Sequence, residues 1–142
     1  MRFLIILISL ISYSLAYSQS AKQLLAEGNT HYENGDYNAA IESYDNALEV
    51  DPEYFQAEFN KGDALYKQQK FAESAQQFDK LAKSDITDDM RASAYHNLGN
   101  AQVQAEKYQE AVDAYKKSLK LNPNDLETRN NLSYANRQLI QQ

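Results

Sequence analysis

Three stretches of the chain carry the same residue classes in the same order, and they decide the fold. They read GNTHYENGDYNAAIESYDNALEVDP (28–52), GDALYKQQKFAESAQQFDKLAKSDI (62–86) and GNAQVQAEKYQEAVDAYKKSLKLNP (99–123). In each, the opening Gly is followed after nine residues by an aromatic residue, after twelve by a small residue and after sixteen by a second aromatic residue. The three glycines are 34 and 37 residues apart, which is the length of one repeated supersecondary unit.

This spacing predicts a repeated pair of antiparallel helices. The Gly lets the first helix approach its partner closely, and the small residue twelve positions later (Ala40, Ser74 or Ala111) gives the second helix a matching notch. The second aromatic residue follows one helical turn further along the same face. We expect first helices near 21–34, 54–68 and 88–105, second helices near 37–50, 71–84 and 108–121, and a seventh helix near 124–140.

The two prolines of the chain mark the starts of helices. Asp51-Pro52 and Asn122-Pro123 each place an N-cap residue before a proline, an order that favours helix initiation. The second boundary, at 85–89, has no proline and accounts for the three extra residues in the longer spacing. We expect a longer loop or an extended first helix there.

The composition of the chain limits the classes of function that it can have. The 142-residue chain has 14 Lys+Arg against 20 Asp+Glu, a net charge of −6, and no Cys. The length suits one domain, and the acidic balance disfavours nucleic acid as a partner. Without Cys there are no disulfides, thiolate metal sites or Cys nucleophiles.

Residues 1–18, MRFLIILISLISYSLAYS, differ from the rest of the chain. A single positive charge, a short apolar run and small residues ahead of a polar chain are typical of a secretory signal peptide. Ala16 and Ser18 fit a cleavage after residue 18. We therefore predict an exported, periplasmic protein with a mature domain at 19–142; the alternative is an uncleaved anchor at the membrane.

The repeat pattern resembles the tetratricopeptide repeat, and the resemblance covers about 21–141. It implies an all-α solenoid of three helix hairpins in a right-handed superhelix, with repeats at about 21–54, 55–88 and 92–125 and a capping helix at about 124–141. Two departures are Glu27 and Lys61, where the family has an apolar residue before the Gly. Leu81 stands where Ala47 and Ser118 are small, so we expect the second interface to be more open or reset.

The seventh helix predicts a cap for the array. Leu126, Leu132, Ala135 and Leu139 form an apolar stripe, and a terminal helix needs only one apolar side. Leu139 and Ile140 lie near an open end. They support an alternative function, a structural repeat protein that stacks or dimerises through this helix.

Members of the family generally bind proteins with the concave groove lined by their first helices. Asn side chains donate and accept hydrogen bonds and suit an extended peptide, while some of them could instead join neighbouring helices. Leu25, Glu33, Lys67 and Gln104 belong to the wall of this groove. The resemblance assigns the partner-binding groove to Asn29, Tyr32, Phe59, Asn60, Asp63, Tyr66, His96, Asn97, Asn100, Asn130, Asn131 and Tyr134.

One subset of the family clamps the C-terminal carboxylate of chaperone tails with two Asn and three basic residues. Asn29 and Asn60 match the two Asn, but Leu25, Ser93 and Asn97 occupy the basic positions. We therefore expect no carboxylate clamp.

No enzyme, metal site or cofactor is expected. The two histidines are 65 residues apart; His31 fits a core position, and His96 faces the groove without a recognisable catalytic partner. The sequence has no Gly-rich phosphate loop and no nucleophile elbow.

The predicted function is therefore that of an exported, non-enzymatic module that binds a protein or peptide segment. AYHNLGNA (94–101) and YKKSLKLNPND (115–125) also resemble the exported repeat proteins of bacterial aerotolerance (Bat) operons. That resemblance implies a membrane-associated stress complex with von Willebrand-type proteins.

Overall fold

The computed structural model describes residues 19–142, which form seven helices and no strand in that range. The predicted signal peptide at 1–18 lies outside the described residues. None of the described helices is both long and apolar enough to cross a membrane. The helices are α1 (Ala21–Glu33), α2 (Tyr37–Val50), α3 (Phe55–Lys67), α4 (Phe71–Ala82), α5 (Asp88–Gln104), α6 (Tyr108–Leu121) and α7 (Leu126–Gln141).

Each hairpin closes where the repeated register places a Gly against an aromatic ring. A Cβ added at Gly62 would lie 2.7 Å from Cζ of Phe78, and added at Gly28 or Gly99 it would overlap the ring of Tyr44 or Tyr115. All three rings are almost completely buried. The predicted reason for the Gly, close approach of the two helices, is therefore confirmed.

The three hairpin turns share one backbone conformation. Gly35, Gln69 and Glu106 occupy equivalent positions and have φ of 78°, 61° and 59°. In each turn two backbone N–H groups reach back to the last carbonyls of the first helix, as in a Schellman motif. Only the first hairpin has a glycine at this left-handed position.

The three-residue insertion is divided among several elements. Among the second helices of the hairpins, α4 has 12 residues and α2 and α6 have 14. Among the first helices, α5 has 17 residues and α1 and α3 have 13. The expected extension of the first helix is thus present. Arg91 fixes the new segment, because its guanidinium donates to the carbonyls of Ala82 (3.3 Å), Ser84 (3.4 Å) and Ile86 (2.9 Å).

The second interface is closed rather than open. Leu81 is buried in a cluster with Ala82 and Ala94, and Phe55 and Ile86 pack against the same cluster. Ile86 belongs to the inserted loop, so the insertion supplies part of the cover for the larger Leu side chain. Of the two expectations for this interface, the second fits: the packing is rearranged around the larger Leu81 side chain.

The packing order shows which helices line the inner side of the array. Every helix packs against its neighbour in sequence, and α1, α3, α5 and α7 also contact one another in succession. Within the described range, α2, α4 and α6 make no such contacts with each other. The first helices and α7 are therefore closer together, and they form the concave side.

Two expectations about side chains are wrong. Leu126 does not belong to the buried stripe of α7, because it is 68% exposed at the start of the helix, while Ala135 is buried and Leu132 partly buried. His31 is not a core residue: its side chain is 36% exposed and lies 3.9 Å from the Glu27 carboxylate. One turn earlier on the same helix, Glu27 keeps that side in contact with water.

Candidate partner-binding groove

Three pockets follow one another along the concave side. The first, of about 280 Å³, is lined by Asn29, Tyr32, Glu33, Tyr44, Asn60 and Asp63. The second, of about 490 Å³, includes Phe59, His96, Asn97 and Asn100, and the third, of about 310 Å³, includes Tyr66, Asn100, Asn131 and Tyr134. The structure thus brings eleven of the twelve predicted groove residues to these pockets. Asn130 is exposed on α7 and lines none of the three.

The floor of the groove is a ladder of polar side chains that joins one first helix to the next. In the first hairpin, Oδ1 of Asn29 accepts from the Tyr44 hydroxyl at 2.9 Å and from Nδ2 of Asn60 at 2.8 Å. In the third hairpin, Oδ1 of Asn100 accepts from the Tyr115 hydroxyl at 2.7 Å and from Nδ2 of Asn131 at 3.1 Å. The residue after each Gly therefore joins its own hairpin to the next helix.

The second hairpin breaks this pattern at two positions. Asp63 replaces the Asn and accepts from Nδ2 of Asn97 at 2.9 Å, and Phe78, which has no hydroxyl, replaces the Tyr. Burial raises the pKa of Asp63 to about 6, against the smaller opposing effects of Lys67 and of the bond from Asn97. The middle of the ladder is thus a desolvated carboxyl group with one donor fewer than its counterparts.

These bonds show one of the two roles considered for the groove asparagines. Asn60, Asn97 and Asn131 each donate to the preceding first helix, so they join neighbouring helices. Their carbonyl oxygens make no hydrogen bond to another described residue. The same side chains can therefore hold the helices together and still accept from a ligand.

His96 lies at the floor of the second pocket beside the start of α7. Its Nδ1 is 2.5 Å from the Thr128 hydroxyl, which donates to the N-cap carboxylate of Asp125, and its Nε2 is 3.6 Å from the Glu127 carboxylate. The Thr128 hydroxyl has one hydrogen, which it donates to Asp125. Nδ1 of His96 therefore carries the hydrogen in its contact with Thr128 and donates it. Because Thr128 is fully buried, this hydroxyl is not presented to the groove as a nucleophile.

Charge at the groove is acidic. Asp89, Asp125 and Glu127 line the second pocket, and Glu33 and Asp63 line the first. Among the described residues, no group of three or more His, Asp or Glu side chains is placed to hold a metal ion. At the positions of a carboxylate clamp, Leu25 packs into the core clusters, Ser93 donates to the Asp89 carbonyl and Asn97 binds Asp63.

Sequence reasoning missed Tyr44, Thr128 and Arg91. The repeat register predicts only packing for Tyr44, yet its hydroxyl reaches the groove floor, and burial raises its pKa to about 12. The signal was available, because Tyr44 and Tyr115 share a register position with Phe78. Thr128 and Arg91 gave no such signal, since neither recurs between the repeats.

Comparisons with known proteins match the repeated part of the chain. Two family models described as tetratricopeptide repeat match residues 25–89 and 92–125. Small glutamine-rich tetratricopeptide repeat-containing protein 2 of Mycosarcoma maydis is 34% identical over 119 residues, 84% of this chain and 33% of that protein. RNA polymerase II-associated protein 3 of Mus musculus is 31% identical over 127 residues, 86% of this chain and 18% of its own length. The chain therefore spans a third or less of these relatives.

Solved structures share the whole described fold. The first repeat domain of human RPAP3 superposes with a TM-score of 0.76 at 27% identity, covering 85% of this chain and 93% of that domain. The first repeat domain of Spaghetti (RPAP3), solved with the HSP90 peptide SRMEEVD, has a TM-score of 0.74 at 28% identity, covering 87% and 96%. The predicted all-α solenoid of helix hairpins is confirmed.

Proposed function

The chain belongs to the tetratricopeptide repeat family, and we propose that it is a non-enzymatic module whose concave groove holds a segment of a partner protein. One observation carries the proposal. Eleven predicted groove residues from four different helices meet in three consecutive pockets, and the hydrogen bond from Asn97 to Asp63 links the first pocket to the second. An extended segment could follow this line past successive polar acceptors and tyrosine rings, which are typical of binding surfaces.

The partner differs in chemistry from the HSP90 peptide seen with a related domain. SRMEEVD ends in acidic residues and a carboxylate, whereas this groove presents acidic side chains and lacks the three basic clamp residues. Like charges facing one another cost free energy and lower the association rate. We therefore propose that this groove does not bind acidic C-terminal tails.

Site-specific photo-crosslinking in intact cells tests the groove. A benzophenone amino acid replaces Tyr134, which is 43% exposed beside the third pocket, and in a matched control it replaces the exposed Lys116 on α6. We expect a defined crosslinked partner from position 134 and none from position 116. Equal capture from both positions would show that the groove has no special role.

We further propose export, supported by the signal-like pattern at 1–18. Mass spectrometry of the protein recovered from the periplasmic fraction should show an N-terminus at Gln19. A full-length chain in the cytosol would contradict this proposal.

Function in a membrane-associated aerotolerance complex with von Willebrand-type proteins rests on the resemblance of 94–101 and 115–125 alone. It predicts that the membrane fraction retains this protein through such partners. If the amount of this protein in the membrane fraction is the same with and without those partners, the proposal is wrong.

Self-assembly is a second candidate function, favoured by two exposed apolar residues. Ile140 is 85% exposed and Leu126 is 68% exposed, and a separation of 14 residues places them on the same side of α7. Sedimentation velocity tests this candidate. A dimer that Ile140→Ser dissociates would support it, and a monomer at high concentration would exclude it.

A further inference from the structure

We propose, on the basis of the groove function above, that the first pocket holds a cationic side chain of the partner segment, the ammonium of a lysine or the guanidinium of an arginine. The pocket lies between α1 and α3, and Asp63 is the group that binds the cation. No resident side chain fulfils that role in the described structure.

The comparison of equivalent positions shows what Asp63 lacks. Asn29 and Asn100 each accept two hydrogen bonds through Oδ1, one from a tyrosine hydroxyl and one from the next helix. Asp63 accepts only the bond from Asn97, through Oδ1, and its Oδ2 makes none within residues 19–142. The second hairpin has Phe78 where the other two have the tyrosine that donates to Asn29 or Asn100, and Asp63 lines the open pocket.

A desolvated carboxylate with a free oxygen is a strong acceptor for a charged donor, because a charge-assisted hydrogen bond is stronger in a low-dielectric site. Burial already disfavours the ionised form of Asp63 and raises its pKa. A cation arriving in the pocket would offset that cost, whereas a neutral or anionic group would not.

The walls of the pocket favour the same class of ligand. Tyr32 and Tyr44 contribute aromatic rings, Asn60 contributes an amide, and Glu33 adds a second carboxylate at the rim. Aromatic rings attract a cation through their electron-rich faces. A volume of about 280 Å³ leaves room for the end of a lysine or arginine side chain.

Lys67, one turn along α3 from Asp63, is the nearby competitor. Its charge acts to lower the pKa of Asp63, but the ammonium is exposed and forms no ion pair with that carboxylate in the described part of the chain. Removing its charge should therefore improve the site for an external cation.

Nuclear magnetic resonance titration of the ¹⁵N-labelled chain with small probes tests the site without a known partner. The probes are n-butylammonium for lysine, n-propylguanidinium for arginine and n-butyrate as the anion of matched size. At pH 7.5 we expect saturable shifts at Tyr32, Asn60 and Asp63 with one or both cations and none with butyrate. The tighter cation identifies the partner side chain.

Two substitutions separate charge from hydrogen bonding. Asp63→Asn removes the charge and should weaken cation binding about tenfold or more. Phe78→Tyr keeps the charge but supplies the hydroxyl found in the other two hairpins, and it should weaken binding about threefold to tenfold. Lys67→Gln should strengthen binding, and Glu110→Gln, which removes an exposed carboxylate of α6 outside the groove, should leave it unchanged.

Three results would overturn the proposal: no saturable cation shift at the first pocket, equal shifts with butyrate, or equal losses in Asp63→Asn and Glu110→Gln. Crosslinking from position 134 reports on the groove function separately. A crosslink without cation binding would refute the cation site alone, and cation binding without a crosslink would refute the groove function alone.

Discussion

The floor of the groove is built alike in the first and third hairpins and differently in the second. The outer two hairpins have an Asn beneath a tyrosine hydroxyl, and both polar groups are satisfied within the chain. The middle hairpin has Asp63 and Phe78 at the corresponding positions, so it has a desolvated carboxyl group and lacks the hydroxyl donor. The same backbone thus supports two kinds of floor, one closed by internal hydrogen bonds and one left open to a ligand.

The feature that all three hairpins share should give the largest effect when it is broken. Gly99→Ala places a methyl group inside the Tyr115 ring, and we expect a loss of about 3 kcal/mol in the free energy of unfolding, as for other overpacked cores. Urea denaturation measures this. The control is Gly35→Ala, whose Cβ meets nothing within 4 Å and whose φ of 78° costs only about 1 kcal/mol. Equal losses in both variants would contradict the role of close approach.

Making the middle floor like the outer ones should stabilise the protein. Asp63 has a folded pKa of about 6, above its unfolded value, so its stabilising contribution is complete below about pH 4 and is lost as the pH rises through 6. Asp63→Asn removes this loss and should raise the unfolding free energy at pH 7 by roughly 2 kcal/mol, with little difference at pH 4. Urea denaturation from pH 4 to 8 checks it.

Asp125→Asn is the control of opposite sign. Hydrogen bonds from Thr128 lower the pKa of Asp125, so its contribution is present at neutral pH and is lost on acidification. This substitution should therefore lower stability at pH 7, and the difference should shrink in acid. A gain at pH 7 in both variants would mean that net charge, rather than the burial of Asp63, is responsible.

The tyrosine hydroxyls of the outer floors should each have a moderate effect. Tyr115→Phe removes the donor to Asn100 and leaves the ring in place, and we expect a loss of about 1 kcal/mol by thermal or urea denaturation. Tyr108→Phe is the control, because that hydroxyl makes no hydrogen bond in the described structure and Tyr108 is only partly buried. An equal loss in the control would show that the hydroxyl bond to Asn100 contributes nothing.

The smallest effect is expected at the turns. Gln69 and Glu106 hold the left-handed conformation that Gly35 holds in the first hairpin, so Gln69→Gly and Glu106→Gly should each stabilise the protein by about 0.5–1 kcal/mol. The midpoint of urea denaturation measures the gain. Gln104→Gly, within the last turn of a helix, should instead destabilise. Loss of stability at both turns would contradict the strain argument.

The sequence predicts much of the fold because each hairpin depends on local spacing. The Gly, the small residue and the aromatic residue fix the packed faces, and the two prolines lie at two of the three boundaries. The predicted N-caps at these prolines are wrong, because Asp51 and Asn122 are the C-caps of α2 and α6. The next helices begin after a short turn, behind the N-caps Tyr54 and Asp125. The third boundary depends on Arg91, whose contacts with three loop carbonyls follow from the loop path and have no sequence signature. Leu126 shows the same limit at the start of α7, where exposure depends on how the helix docks.

For the groove, the sequence predicts which residues gather but not how they share hydrogen bonds. Asp63 and Phe78 differ visibly from their counterparts in register, so the irregular middle floor is visible in the sequence. The burial that raises the pKa of Asp63 comes from the approach of α1 and α5 to α3, which no local pattern reports. The bond between His96 and Thr128 likewise needs the docking of α7.

The extra length of α5 affects how a bound segment would align along the groove. Its 17 residues against 13 in α1 and α3 add about 6 Å at the N-terminal end, roughly the advance of two residues in an extended chain. An array of equal repeats would let an occupant slide by one repeat and meet the same surroundings. This unequal step removes that translational equivalence, so a bound segment has one alignment along the groove.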